Sequence, residues 1–232
     1  MPGKNPFTPP SDPGGPPDPE ISLPNPAFTK FIEAKVNAIQ AILGPMSDTI
    51  AHPRSPAGDG GSLDIYYFPE ALPGRTGTAL ATLDLIRPDG SGPRAATLGT
   101  YEVVAFTRQA MEASQGDAPF NKIERKLWYL LSMIGMYGFE AELNPLQTAG
   151  IPGPTDQRTG KAAPNSYLIF DEYRRPGVDF HFDGKFHGLL LLIEVHEQEM
   201  AYAQRSGVPA LLQRLKSAGA YPFSDLDRKP VV

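Results

Sequence analysis

Apolar residues along this chain recur with two different spacings, and the changes of spacing mark its elements. From Asn25 the spacing is helical. Phe28, Phe31, Ile32, Val36, Ile39, Ile42 and Leu43 return every three or four residues, Asn25-Pro26 offers an N-cap with proline at the first helical position, and Gly44-Pro45 ends the run. On this reading Lys30, Glu33 and Lys35 turn mostly toward solvent. Residues 63–68, 79–86 and 101–107 are short runs rich in residues that suit a pleated surface, and they predict three strands. The turn-rich Pro88-Asp89-Gly90-Ser91-Gly92-Pro93 separates the second from the third. A second helix is predicted over 121–137, where Ile123, Leu127, Leu130, Leu131 and Ile134 form one stripe and Asn121 and Glu124 have capping-box spacing. Trp128, Met133 and Met136 carry its apolar surface round the cylinder, as in a helix sandwiched inside a fold.

The second half predicts a short strand over 167–170, a hairpin of 178–182 and 186–195 around Asp183-Gly184, and helices over 197–205 and 209–217 with Gly207 and Gly219 at their ends. No internal repeat is present. Helix, strands, long helix, strands and helices in that order predict an α+β fold, a mixed, largely antiparallel sheet packed by helices. Residues 1–24 are dominated by Pro, Gly, Ser and Asp and predict a flexible tail, leaving 25–232 as a single domain. As a polyproline II segment the tail is also a candidate ligand for an aromatic groove, although an inert leader is the plainer reading.

Composition narrows the function classes. A chain of 232 residues with 41% hydrophobic residues can build a core without metal or disulfide. A net charge of -5 argues against a general nucleic-acid binder. The absence of cysteine removes thiol nucleophiles, redox pairs and thiolate metal sites. The first twenty or so residues lack the apolar stretch of a secretory signal, and the longest apolar run, Leu189-Leu190-Leu191-Leu192-Ile193, is too short to span a bilayer. No membrane association is expected, and the cytoplasm is the default compartment.

Candidate chemistry is sparse. In Asp179-Phe180-His181-Phe182-Asp183 a strand's alternation would place Asp179, His181 and Asp183 on one face, with His187 near across the hairpin, and such ligands suit a metal-assisted hydrolase. The plainer reading is a solvated strand face with Phe180 and Phe182 turned to the core. His196, near Glu194, Glu197 and Glu199, is a second imidazole among carboxylates, but nothing in the sequence marks a substrate site beside it. His52 stands alone in a Pro/Gly loop. No nucleophile elbow, P-loop or dinucleotide fingerprint occurs, and Gly58-Asp59-Gly60-Gly61-Ser62 lacks the lysine of a phosphate cradle. No cofactor is expected.

The most specific signal lies in the C-terminal third. An apolar strand, Leu189-Leu190-Leu191-Leu192-Ile193-Glu194-Val195, runs into the acidic His196-Glu197-Gln198-Glu199-Met200. Then come Gly207-Val208-Pro209-Ala210-Leu211-Leu212 and the tail Ser224-Asp225-Leu226-Asp227-Arg228. In that order these segments resemble the closing part of the suppressor-of-fused domain. Asp64-Ile65-Tyr66-Tyr67-Phe68-Pro69 resembles the family's early strand, and Gly99-Thr100-Tyr101-Glu102-Val103-Val104-Ala105-Phe106-Thr107 its central strand. The resemblance covers roughly residues 32–232, with two departures: Leu85-Ile86-Arg87-Pro88-Asp89-Gly90 stands where the family usually has Gly-x-Ser, and the second, C-terminal domain of the family's animal members has no counterpart here.

The resemblance implies a suppressor-of-fused-like fold and a non-enzymatic, protein-binding function. The family's animal members are similar to adaptors that clamp an extended peptide of a transcription factor between two domains. This chain ends at Val232 and is similar to the single-domain bacterial members. For those, the resemblance implies immunity proteins that neutralise a cognate toxin. The partner expected is therefore another protein, bound to an open strand edge or through Tyr67, Tyr101, Glu102, Phe106, Asp225, Asp227 and Arg228. For Asp225, Asp227 and Arg228 the plainer reading is an intrachain ion pair pinning the tail, and Tyr67 serves as an anchor only if it is exposed.

Overall fold

The computed structural model describes residues 25–52, 63–111, 118–153 and 162–232. The predicted Pro-rich tail and the Gly-rich Gly58–Ser62 loop lie outside them. Among the described residues four helices, α1 (Pro26–Leu43), α2 (Pro119–Glu140), α3 (Glu197–Ser206) and α4 (Val208–Ser217), pack on ten strands. The strands are β1 (Ile50–Ala51), β2 (Ile65–Phe68), β3 (Thr78–Thr82), β4 (Arg94–Ala95), β5 (Gly99–Thr107), β6 (Thr148–Ile151), β7 (Ser166–Glu172), β8 (His181–Phe182), β9 (Lys185–Phe186) and β10 (Gly188–Val195). Eight of them form one sheet in the order β1-β2-β3-β5-β10-β7-β6, with β4 paired to β5, while β8 and β9 make a separate hairpin. Only β5 and β10 run parallel in the main sheet, Gly188 facing Tyr101 through Leu192 facing Ala105. The fold is α+β with a mixed, mostly antiparallel sheet, as its pattern predicts.

Strand alternation divides the core in two. Val104, Phe106, Leu189, Leu191 and Ile193 point to a layer built by α1, α3, α4 and the β8–β9 hairpin. Tyr101, Val103, Ala105, Leu190 and Leu192 point the other way, to α2. Because β5 and β10 are buried on both faces, they read as near-continuous apolar runs.

Within that dry centre stands one ion pair, and it corrects the expectation that Lys35 turns outward. Lys35 lies one helical turn from both Phe31 and Ile39, on the buried stripe of α1, and is 1% exposed. Its ammonium lies 3.0 Å from Glu102 Oε1 and also donates to the carbonyls of Leu83 and Ile86. The Glu102 carboxylate accepts in addition from Thr82 Oγ1 and from the amides of Leu85 and Ile86. This network explains why the predicted strand over 79–86 stops at Thr82. Residues 83–86 curl so that their carbonyls and amides can solvate the buried pair.

Other differences have similarly local causes. α2 begins at Pro119 with Ala118 as N-cap, and Asn121 and Glu124 fall inside it. It covers one sheet face and is not sandwiched, so Met136, Tyr137 and Phe139 remain exposed. Gly138 lets it approach the sheet, since a Cβ there would stand 2.7 Å from Tyr101 Oη and 2.9 Å from Pro93. His187 separates β9 from β10, dividing the predicted strand 186–195. The short β1, β4 and β6 were not predicted, being two to four residues long with weak apolar patterns.

Removing one member of a buried, hydrogen-bonded ion pair strands the other. Lys35→Met is therefore expected to lower unfolding stability by about 3–5 kcal/mol, measured by urea denaturation. A loss below roughly 1 kcal/mol would mean that the pair behaves as a surface contact.

Candidate functional site

The residues predicted to meet a partner mostly build the interior. Tyr67, Tyr101, Glu102 and Phe106 have no exposed surface. Tyr67 donates to Glu124 Oε1 at 2.6 Å and accepts from Trp128 Nε1 at 2.8 Å, so its hydroxyl ties β2 to α2. Burial pushes the Tyr101 phenol up to about 12. The condition that Tyr67 be exposed to act as an anchor is not met. Strand alternation leaves its direction open, and only the second helix decides that both faces of β2 are covered.

The tail motif closes the fold. Phe223, Ser224 and Asp225 lie between the ends of the parallel strands: Ser224 N donates to Phe106 O, and Glu194 N donates to Ser224 Oγ. Asp225, buried, accepts from Thr107 Oγ1 at 2.7 Å and Arg108 N at 2.9 Å. Arg75 and Arg108 stack over the Phe223 ring. Arg228 makes a two-pronged pair with the buried Glu199, at 2.6 and 2.8 Å, while Asp227 is exposed beside it. Burial alone would raise the Glu199 carboxyl, but Arg228 and the amides of His196 and Val231 hold it below its ordinary range.

The histidine chemistry is accounted for in the same way. His196 caps α3 by accepting from the Glu199 amide, and Glu199 accepts from the His196 amide in return. The other His196 ring nitrogen, Nε2, donates to Arg228 O at 3.0 Å. Both nitrogens are thus engaged. Asp179, His181 and Asp183 are each exposed, with Phe180 and Phe182 buried, but only His181 lies in a strand and Asp183 stands in the turn that follows it. His187, however, points inward, stacked on Phe182 at 4.1 Å and paired with Thr100 Oγ1. Among the described residues no three His, Asp or Glu side chains are grouped to hold a metal ion.

Among the described residues, two adjoining features bear on binding. The first is the outer edge of β6, the last strand of the sheet, whose Thr148 and Gly150 are exposed. The second is a cavity of about 630 Å³ at the end of β10, walled by Tyr129, Tyr167, Pro164, Val195 and Leu226, with Arg125, Lys126, Glu194 and Glu197 among its polar lining. Ser166 at its rim pairs with Ile151 of β6, and Tyr129 donates to Pro152 O just beyond that strand, so edge and cavity adjoin. Sequence reasoning missed this site, because Lys126 and Glu194 lie on different elements and meet only through the packing of α2 on β10.

No family model matches the sequence, and no curated protein is significantly similar to it. Solved structures do match, 14 chains in all. One belongs to the Sufu–Fu complex; it superposes with a TM-score of 0.54 at 14% identity over 90% of this chain and 93% of that one. The fold is suppressor-of-fused-like. At that identity the likeness establishes architecture alone. Among the described residues no helix is long and apolar enough to cross a membrane.

Two tests follow from these contacts. Burial, with the charges of Lys35 and Lys185 behind it, holds the His187 imidazole below its ordinary pKa. The unfolded chain therefore takes up this proton more readily, and stability is full above the ordinary value of 6.5 and falls as pH drops below it. His187→Gln is expected to flatten the stability profile between about pH 7 and 5, followed by chemical denaturation. Arg228→Ala, which leaves Glu199 buried and unpaired, is expected to cost about 3 kcal/mol or more and to increase hydrogen exchange in the 223–232 tail. Exchange unchanged by the substitution would show that the tail is held elsewhere.

Proposed function

We propose that the chain is a non-enzymatic binding module that sequesters or neutralises another protein. The observation that carries this reading is the open β6 edge beside an apolar-walled cavity, on a fold shared with a chain of the Sufu–Fu complex. An exposed strand edge supplies a row of backbone donors and acceptors to an extended peptide, and a neighbouring cavity supplies side-chain selectivity. Among the described residues, several buried ionisable groups are engaged in holding the fold. Lys35 pairs with Glu102, Arg228 with Glu199, and Asp225 with Thr107 and Arg108. This distribution favours recognition over bond chemistry. The metal-assisted hydrolase reading of Asp179, His181 and Asp183 has no gathered ligand set among the described residues to favour it.

The finer reading, a cytoplasmic immunity protein against a toxin encoded beside it, follows the resemblance to single-domain bacterial members. Co-expression with the product of the neighbouring gene is expected to give a stable complex on size exclusion and to suppress that product's toxicity. Partner binding is expected to slow amide exchange over 148–151. A chain that forms no complex yet turns over a substrate in a metal-dependent way would overturn the proposal.

A further inference from the structure

Glu194 presents an unmet chemical demand. It is 1% exposed, on the β10 face that packs against α2, and lines the cavity described above. Its Oε1 lies 2.7 Å from the ammonium of Lys126, but its Oε2, equally buried, has no hydrogen-bond partner among the described residues. Leaving a charged acceptor buried and unsatisfied is costly, so such an atom marks a place where a donor from outside is stabilising.

The surrounding charges select the donor. The Glu194 carboxylate already has its countercharge, so the missing interaction is one hydrogen bond. An incoming ammonium or guanidinium would stand close to the Lys126 ammonium, with Arg125 on the same wall, and an incoming carboxylate would face Glu194 and Glu197. A neutral donor avoids both penalties. The walls select its body: Tyr129, Tyr167, Pro164 and Leu226 offer aromatic and aliphatic surface. The Tyr129 hydroxyl is turned to Pro152 O and does not supply the missing donor.

We infer that this cavity is the anchor pocket of the binding surface and receives an indole, the tryptophan side chain of a partner protein, whose N–H donates to Glu194 Oε2. A flat apolar ring with a single donor matches walls that are apolar and a base that lacks one hydrogen bond, and tryptophan is prominent among interface anchors. That the indole arrives on a protein rests on the binding reading above; the pocket chemistry does not. Its position next to the β6 edge lets one extended peptide pair with the strand and insert such a side chain.

The test uses the full chain and two small probes. 5-Fluoroindole, titrated by fluorine NMR, is expected to bind and to perturb the amides of Tyr129, Tyr167, Val195 and His196. 5-Fluoro-1-methylindole, which lacks the N–H, is expected to bind about tenfold more weakly or worse, as befits a lost bond to a charged acceptor. Glu194→Gln, checked for folding by its thermal transition, is expected to bring 5-fluoroindole down to the level of the methylated probe. Equal binding of the two probes by the unaltered chain would overturn the inference, as would perturbations elsewhere or tighter binding of N-acetyl-argininamide than of the indole. If the probes behave as expected and the neighbouring gene product forms no complex, the pocket assignment stands and the choice of partner fails. If the complex forms and the indole does not bind, only the pocket assignment falls.

Discussion

The constraint on which this structure depends is the dryness of its central parallel pair. β5 and β10 carry core on both faces, so any polar side chain they hold must be solvated by the protein itself. Two glutamates stand there, on opposite faces. Glu102 is answered completely, by Lys35, Thr82 and two amides of the 83–86 curl, and the curl exists because of it. Glu194 is answered only in part, by Lys126. One satisfied and one half-satisfied carboxylate, on strands that lie side by side, divide the molecule into a structural face and a face with chemistry to spare.

The C-terminal tail obeys the same constraint at the point where the parallel pair ends. Its backbone and side chains cap amides and carbonyls that the diverging strands can no longer exchange, through Ser224 and Asp225, and Arg228 then neutralises Glu199 where α3 starts. The closing tail is thus a clasp. Its residues hold the fold closed, and its neighbours Glu194 and Glu197 line the cavity to which recognition is assigned. Leu226 is the bridge between the two roles, since it belongs to the clasp and also walls the cavity.

Much of the architecture was legible in the chain. Helical spacing from Phe31 to Leu43 located α1, Asn25-Pro26 its start, and the five-residue apolar run 189–193 the central strand. These signals are local: a cap, a period, a turn residue. What misled was equally local. Lys35 reads as solvent-facing because lysine usually is, and its burial becomes intelligible only when Glu102, 67 residues away, is placed beside it. The predicted binding residues Tyr67, Tyr101 and Phe106 were read from strand composition, which gives alternation but not which faces are covered.

The sequence by itself therefore determined the longer elements and the α+β class, since both follow from periodicity and residue order along the chain. Tertiary structure alone decided which strands came to lie at the edges of the sheet, which ionisable groups were consumed as internal solvent, and that Glu194 kept an unanswered oxygen beside a cavity. Those outcomes depend on contacts between residues far apart in the chain, and a carboxylate's partners are chosen by whatever the fold brings within about 3 Å of it.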